Sequence, residues 1–280
     1  MTQPGDSSET IPRAIGIAGA GAMARMFVRA FAHVAEPPRI QLWARNTSAA
    51  QSVARDNDRA EPKPLSALAQ GMDVVILATP ATAYRELLER VTPTLDPQAI
   101  IVSLSNAMAI EEVEGYTLNP VMKVIPTIAH ELKRGVSILV AGTRADQQAV
   151  ATIRCMMQAI STPVITQDDD CRALSNLAGS GLAIAAEFAR LCVAANEGAA
   201  SSINREMLDA IMAETFAAVA ALHVEGRSFE TMIAETAVPG GMTEAAVSIL
   251  KRDGSSVVEM MMQETFRRQA LLRAQNISRA

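Results

Sequence analysis

Cysteine is scarce: Cys155, Cys171 and Cys192 are odd in number and form no C-x-x-C pair, which excludes a disulfide framework and a zinc knuckle. Positive charge is not in excess either. The 25 Lys and Arg residues stand against 30 Asp and Glu, a formal charge of −5 with the signs interspersed. Without a basic stripe the chain cannot neutralise a phosphate backbone, so nucleic acid is not an expected partner. No run of eighteen or more apolar residues is free of charge, so no membrane span is expected. The polar start, residues 1–12, lacks the charged-then-apolar order of a signal peptide and reads as a flexible tail. Free thiols and the lack of a leader point to the cytoplasm.

Against these absences stands a hydrophobic content of 49% over 280 residues, enough for a sizeable core. From Ile11 to about Gln167, short apolar runs bounded by turn residues alternate with helical patterns, which signals parallel strands and crossovers. Strands are expected at Ala14–Ala18, Ile40–Trp43, Val74–Ala78, Ile100–Leu104, Lys123–Ile125, Ser137–Ala141 and Pro163–Thr166, with helices such as Ala22–Phe31 and Thr82–Val91 between them. Beyond the acidic run Asp168–Asp170, where Asp168 is expected to cap a helix, the chain from Arg172 to Leu222 is rich in Ala, Leu and Met and has no proline. Further helices are expected over Thr243–Lys251 and from Ser255 onward. The fold class is therefore α/β: a Rossmann-type, mostly parallel sheet domain over 13–167, followed by an all-helical domain over 168–280. Stretches such as Ala183–Ala195 and Ala210–Leu222 are apolar on more than one face, more than so small a helical domain can bury. A second copy would cover them, as a homodimer or larger homo-oligomer.

The strand Ile15-Gly16-Ile17-Ala18 runs into Gly19-x-Gly21-x-x-Ala24, a dinucleotide-binding fingerprint with alanine at its third position. Gly19 permits the tight turn, Gly21 lets bare backbone approach a pyrophosphate, and Ala24 lets helix and strand pack closely. The helix start at Ala22 and Met23 adds free N–H groups and positive potential. An acid about twenty residues further on would hold the ribose of NAD. From Pro37 to Arg55 there is none, and the place reads Leu42-Trp43-Ala44-Arg45-Asn46-Thr47-Ser48. Arg45 with Asn46 suits a 2′-phosphate, so NADP(H) is preferred and NAD(H) remains possible. The same missing acid disfavours S-adenosylmethionine and FAD. Asp168–Asp170 and Cys171 do not make a metal site, because consecutive positions point in different directions.

Downstream, Val238-Pro239-Gly240-Gly241-Met242-Thr243 places a proline and two glycines at a helix start. Consecutive N–H groups there can hold a small carboxylate as a nest, or the segment is simply a turn between helices. Local sequence does not choose between the two.

The fingerprint, Ala178-Gly179-Ser180-Gly181 at the head of the helical half, and Pro239-Gly240-Gly241-Met242-Thr243 near the end together resemble pyrroline-5-carboxylate reductase. The resemblance covers most of the chain, and the Pro-Gly-Gly-x-Thr element is its most specific part. It implies reduction of a cyclic imine, 1-pyrroline-5-carboxylate, to L-proline by NAD(P)H, in an interlocked dimer whose sites use both chains. By position, Gly240, Gly241, Met242 and Thr243 would line the substrate, with the Thr243 hydroxyl near the imine nitrogen. Ala78-Thr79-Pro80 and Ser105-Asn106-Ala107 would line the cofactor. The chain departs from the family at Thr127 and Ala129, where the family reads Asn and Pro, at Val238 for Ser, Met242 for Thr, Thr79 for Lys and Leu182 for Pro.

Reducing a C=N bond asks for little acid catalysis, since an imine nitrogen can arrive protonated; positioning then dominates. The helical half fits this. Between Arg172 and Leu250 there is no lysine, and His223 is the sole histidine. A 3-hydroxyacid dehydrogenase would need a lysine on the first long helix, where Glu187 and Arg190 stand instead. Thr243 is the expected catalytic residue. His130, in the divergent loop, is expected to be a loop residue bonded to backbone or solvent rather than a substrate acid. Two alternatives are a reductase of the same scaffold acting on another imine or oxo acid, and a non-catalytic NADPH-binding regulator.

Overall fold

The computed structural model describes residues 10–199 and 202–277. Most of the tail expected over 1–12 lies outside the described residues. In chain order the elements are β1 (Ala14–Ala18), α1 (Ala22–Ala32), β2 (Arg39–Trp43), α2 (Thr47–Ala54), β3 (Ala60–Pro62), β4 (Val74–Leu77), α3 (Tyr84–Val91), β5 (Ile100–Ser103) and α4 (Ile110–Glu114). There follow β6 (Val121–Ile125), β7 (Val136–Ala141), α5 (Gln147–Gln158), β8 (Thr162–Thr166), α6 (Cys171–Leu177), α7 (Gly179–Glu197), α8 (Arg205–Val224), α9 (Phe229–Thr236) and α10 (Met242–Ile277).

The strands form one sheet in the order β3-β2-β1-β4-β5-β6-β7-β8, parallel except where β7 runs antiparallel to β6. β1, β4 and β5 are buried throughout, which is why they read as unbroken apolar runs. One core layer packs Met26, Phe27 and Phe31 of α1 with Ile153 and Met157 of α5; the other packs Leu87 and Leu88 of α3 with Ile110 and Val113 of α4. The mostly parallel sheet and helical C-terminal half are the class expected from sequence. β3 was not expected. It is a three-residue edge strand, Ala-Glu-Pro, with no apolar pattern to announce it. At the opposite edge β8 also carries a proline, Pro163, and leaves Ile165 half exposed.

Of the described residues, those up to Ser180 together with those from Arg267 onward form one compact unit, and those from Gly181 to Phe266 another. In the second, Val193 alone is buried among the described residues, while Leu191, Ile211 and Leu250 are more than half exposed. Cys171–Glu197 and Arg205–Val224 are each long and apolar enough to cross a membrane by length and composition. That amends the sequence expectation, which asked for runs free of charge. In the first stretch Glu187 and Arg190 neutralise each other at 2.6 Å.

Two further expectations are corrected. Asp168 does not cap a helix: α6 starts after Asp170, and Asp168 instead receives the Nζ of Lys123, a fully buried residue on β6, and Arg273 of α10 at 3.3 Å. A buried ammonium needs a counter-charge more than a helix end needs a cap. The separate helices expected before and after Gly254 are one 36-residue helix, in which that glycine gives room to Leu250; an added Cβ would meet its Cδ1 at 2.9 Å.

Asp168→Asn is expected to leave the Lys123 ammonium buried and unpaired, lowering stability by about 3–5 kcal/mol in urea unfolding. The double change Lys123→Met with Asp168→Leu is expected to restore most of that loss.

Candidate active site

β1 has β2 on one side and β4 on the other, so connections leave it in opposite directions and open a crevice at the carboxyl ends of these strands. Gly19 stands at its floor with φ +134°, its N–H donating to Trp43 O at 2.7 Å. A Cβ there would lie 2.4 Å from the Ala78 carbonyl oxygen, so only glycine fits. Gly21 precedes α1, and a Cβ added to it would enter open space. The first turn, Ala22-Met23-Ala24, holds no acid, leaving its N–H groups to an outside anion. Ala24 is fully buried and lets the helix lie against the sheet.

Above this floor is a cavity of about 480 Å³, lined by Gly19, Gly21, Trp43, Arg45, Asn46 and Ala78-Thr79-Pro80. Arg45 forms no ion pair among the described residues. Asn46 is partly committed elsewhere: its Oδ1 accepts from Ser48 N at 3.0 Å and from Ala49 N at 3.4 Å, starting α2. Thr79 Oγ1 is buried without a hydrogen-bond partner, an atom a bound ligand would satisfy. A glycine that cannot bear a side chain, a second that leaves backbone open to the crevice, an unopposed helix start and this orphaned hydroxyl fit a dinucleotide diphosphate.

Two charged lining residues escaped the sequence reading. Glu86 and Arg90 of α3 face the same cavity and pair at 3.6 Å. The signal was present in the i, i+3, i+4, i+7 row Ala83, Glu86, Leu87, Arg90, which forms a wall beside the buried stripe of α3. A search for an acid only after β2 passes over it.

Ser105 and Asn106 lie outside that cavity, at the end of β5. The Asn106 amide donates to Ser175 Oγ at 2.9 Å, and Gln269 of α10 donates to Asn106 O at 2.7 Å. Beneath the segments Ala78-Thr79-Pro80 and Ser105-Asn106 sits fully buried Tyr84, whose hydroxyl donates to Leu77 O at 2.9 Å and accepts from Leu104 N at 3.2 Å. Burial pushes its phenol up to about 12. Tyr84 thus ties the end of β4 to the end of β5.

The loop after β6 is held from within. Thr127 Oγ1 accepts from Ala129 N at 3.1 Å. Fully buried His130 accepts the Thr127 N–H on Nε2 at 3.2 Å, and its Nδ1 meets Arg134 O at 2.9 Å, a pairing that requires the neutral ring with its proton on Nδ1. Burial lowers its basicity. His130 is therefore the backbone-bonded loop residue expected.

In the second unit, Gly240 adopts φ +74°, the turn before α10. Its N–H donates to Glu244 Oε2 at 2.7 Å, and the Gly241 N–H donates to Val238 O at 3.0 Å. Met242 and Thr243 open the helix, exposed, as is Val238; Leu182 lies on α7.

A larger cleft, about 610 Å³, lies at the amino ends of the strands. Its acids serve the fold: Asp73 receives the N–H groups of Arg13 and Ala14, and Asp146 caps α5.

Residues 168–272 match the family model described as pyrroline-5-carboxylate reductase dimerisation, and residues 15–146 that of ketopantoate reductase PanE/ApbA. ComE operon protein 4 of Bacillus subtilis (strain 168) is 27% identical over 60% of this chain, and the match spans 62% of that relative, less than two thirds of its length. Pyrroline-5-carboxylate reductase 3 of the same organism is 22% identical over 93% of this chain and 97% of its own. A crystal structure of Plasmodium falciparum pyrroline carboxylate reductase with NADP bound has the same fold, with a TM-score of 0.81 covering 95% of this chain and 100% of that one at 15% identity.

Tyr84→Phe is expected to unpair the Leu77 carbonyl and Leu104 N–H, costing about 1–3 kcal/mol and weakening dinucleotide binding, as read from the fluorescence of Trp43, the sole tryptophan. For His130, lowered basicity in the fold means that stability is complete above the ordinary value of 6.5 and falls as pH drops through it, because the unfolded chain takes the proton first. Unfolding measured from pH 7 to 5 is expected to show this slope, and His130→Asn to flatten it.

Proposed function

We propose, on the premise that this chain has the fold and the dimerisation region of the pyrroline-5-carboxylate reductases, that it is an NAD(P)H-dependent reductase of a cyclic imine. The observation that carries this reading is the glycine cradle of Gly19 and Gly21 facing a cavity with the unpartnered Thr79 hydroxyl. When bound, a reduced nicotinamide supplies the hydride. Gly19, Gly21 and the first-turn N–H groups of Ala22, Met23 and Ala24 hold the diphosphate, with Ala78, Thr79 and Pro80 as the facing wall. Ser105 and Asn106 lie towards the nicotinamide, Asn106 fixed by Ser175 and Gln269.

NADP(H) is the favoured form. Arg45 and Arg90 reach the cavity from two elements, and two guanidiniums suit the doubly charged 2′-phosphate. Arg90 gives up only an exposed pair with Glu86.

Thr243 orients the imine nitrogen, so that the ring carbon meets the hydride donor; a protonated imine needs no stronger acid. The substrate loop of one copy serves the cofactor of another. A homodimer or larger assembly through the helical half also covers its exposed apolar faces. We place the protein in the cytoplasm and set the division between cofactor and helical halves near Gln167. The conversion of 1-pyrroline-5-carboxylate to L-proline is the reaction of this type with which the resemblance is associated. A second ring imine is favoured by one observation, the occupation of the Gly240 N–H by Glu244.

The deciding experiment follows NADPH oxidation by the purified protein with 1-pyrroline-5-carboxylate and with unsubstituted 1-pyrroline. Turnover of either supports the reading; tight NADPH binding with neither reduced overturns it. Thr243→Ala is expected to lower kcat/KM by roughly tenfold to a hundredfold without affecting NADPH binding. Arg45→Ala and Arg90→Ala are each expected to weaken NADPH by roughly tenfold and NADH hardly at all in Trp43 fluorescence titrations.

A further inference from the structure

The substrate loop carries its own anion. A backbone N–H has one proton to donate, and both glycine N–H groups assigned to a substrate carboxylate have spent theirs, Gly240 on Glu244 and Gly241 on Val238 O. An incoming carboxylate would have to displace Glu244 and then sit beside it, like charge against like. The start of α10 favours an anion through its first N–H groups, but no cationic side chain in this stretch helps to offset a second carboxylate. Between Ser228 and Leu250 there is no lysine or arginine, whereas Glu230, Glu235 and Glu244 all fall in this stretch. Glu235 is paired with Arg227 at 2.9 Å, and no ion pair of Glu244 occurs among the described residues. The flanking side chains, Val238 and Met242, are exposed and offer neither hydroxyl nor amide; Thr243 supplies the loop's one hydroxyl between Val238 and Glu244.

A carboxylate, one hydroxyl and apolar surface complement a cation. We propose that Glu244 makes this a cation site, and that the substrate is a protonated ring imine without an α-carboxylate, of which 1-pyrroline is the simplest five-membered case. The inference rests on the cyclic-imine reading and narrows it. The ring methylenes lie on Val238 and Met242, and the N–H⁺ faces Glu244 with the Thr243 hydroxyl beside it. The ring carbon gains a hydride with its two electrons from the reduced nicotinamide, which is oxidised. The C=N π pair moves onto nitrogen, which already bears its proton, so the amine forms neutral. No proton need come from the protein. Glu244 favours the protonated, reactive form before reduction.

The same Glu244–Gly240 bond also resembles a helix cap, in which an acid at the third helical position reaches back to the chain before the helix. Glu244→Gln separates the two roles, because a glutamine oxygen still accepts from the Gly240 N–H while the charge is gone. The experiment compares wild type and Glu244→Gln in kcat/KM with NADPH for 1-pyrroline and 1-pyrroline-5-carboxylate. It adds calorimetric titration with pyrrolidinium and with L-proline in the presence of NADP⁺. The wild type is expected to prefer 1-pyrroline by at least about tenfold, and Glu244→Gln to lose about tenfold on 1-pyrroline and on pyrrolidinium affinity while gaining on the carboxylate. An unchanged melting temperature confirms that the cap survives. A wild type that prefers 1-pyrroline-5-carboxylate, with Glu244→Gln altering neither substrate, makes Glu244 a cap only and overturns the proposal. If neither imine is reduced, the reductase reading falls. The titration then still decides the site, since pyrrolidinium affinity that Glu244→Gln leaves unchanged, or no measurable affinity, overturns it.

Discussion

The approach of Gly19 to the Ala78 carbonyl is the contact on which the cofactor half depends. β1 and β4 are hydrogen-bonded neighbours whose chains depart to opposite sides of the sheet, and at that parting the backbone comes so close that no side chain fits between. The same closeness leaves Gly21 on an open rim, points the start of α1 at the crevice and sets Ala78-Thr79-Pro80 as its facing wall. Tyr84 then fixes the far wall by bonding the ends of β4 and β5 from below. The crevice is made by backbone placement, with few side chains involved, which is why the glycines say more about it than any charged residue.

What could be read from sequence follows from the same physics. β1, β4 and β5 lie under helices on both faces, so they must be apolar throughout and were visible as runs. β3 is an edge strand of Ala60-Glu61-Pro62 that buries little and left no pattern. Lys251-Arg252-Asp253-Gly254 has the look of a helix end, basic residues followed by glycine, yet the helix continues because Leu250 occupies the room the glycine leaves. Asp168 looked like a cap because its partner, Lys123, lies 45 positions away in the chain. At the crevice, Gly19 and Gly21 were legible from a local motif and Arg45 from the lack of an acid after β2, whereas Thr79 was pointed to only by the family resemblance. Glu86 and Arg90 were not legible: their helical spacing puts them on one face of α3, but nothing in that spacing says which cavity the face borders.

The helical half presents a different balance. α8, α9 and the described part of α10 contain no buried residue, although α8 is largely apolar, so burial within one chain does not account for its composition. The first half states its purpose in backbone; the second states it in the surfaces left uncovered and in the acidic loop before α10. There Gly240 and Gly241 stand between the exposed Val238 and Met242, with the Glu244 carboxylate on the Gly240 N–H.

The two margins of the sheet have a bearing on how copies of this chain can meet. Along β3 the inward N–H groups alternate with outward ones; of the outward pair, Ala60 gives its proton to Asn57 O and Pro62 has none. Along β8, Thr162 donates inward to Gly135 O, so the next position, Pro163, faces outward without a proton to give. Proline thus stands where a visiting strand would look for a donor on either side, a known defence against edge-to-edge growth. The sheet is finished at eight strands. Any pairing with another copy is then left to side-chain packing on helix surfaces, which tolerate substitution and can diverge, rather than to main-chain ladders that any extended peptide can imitate.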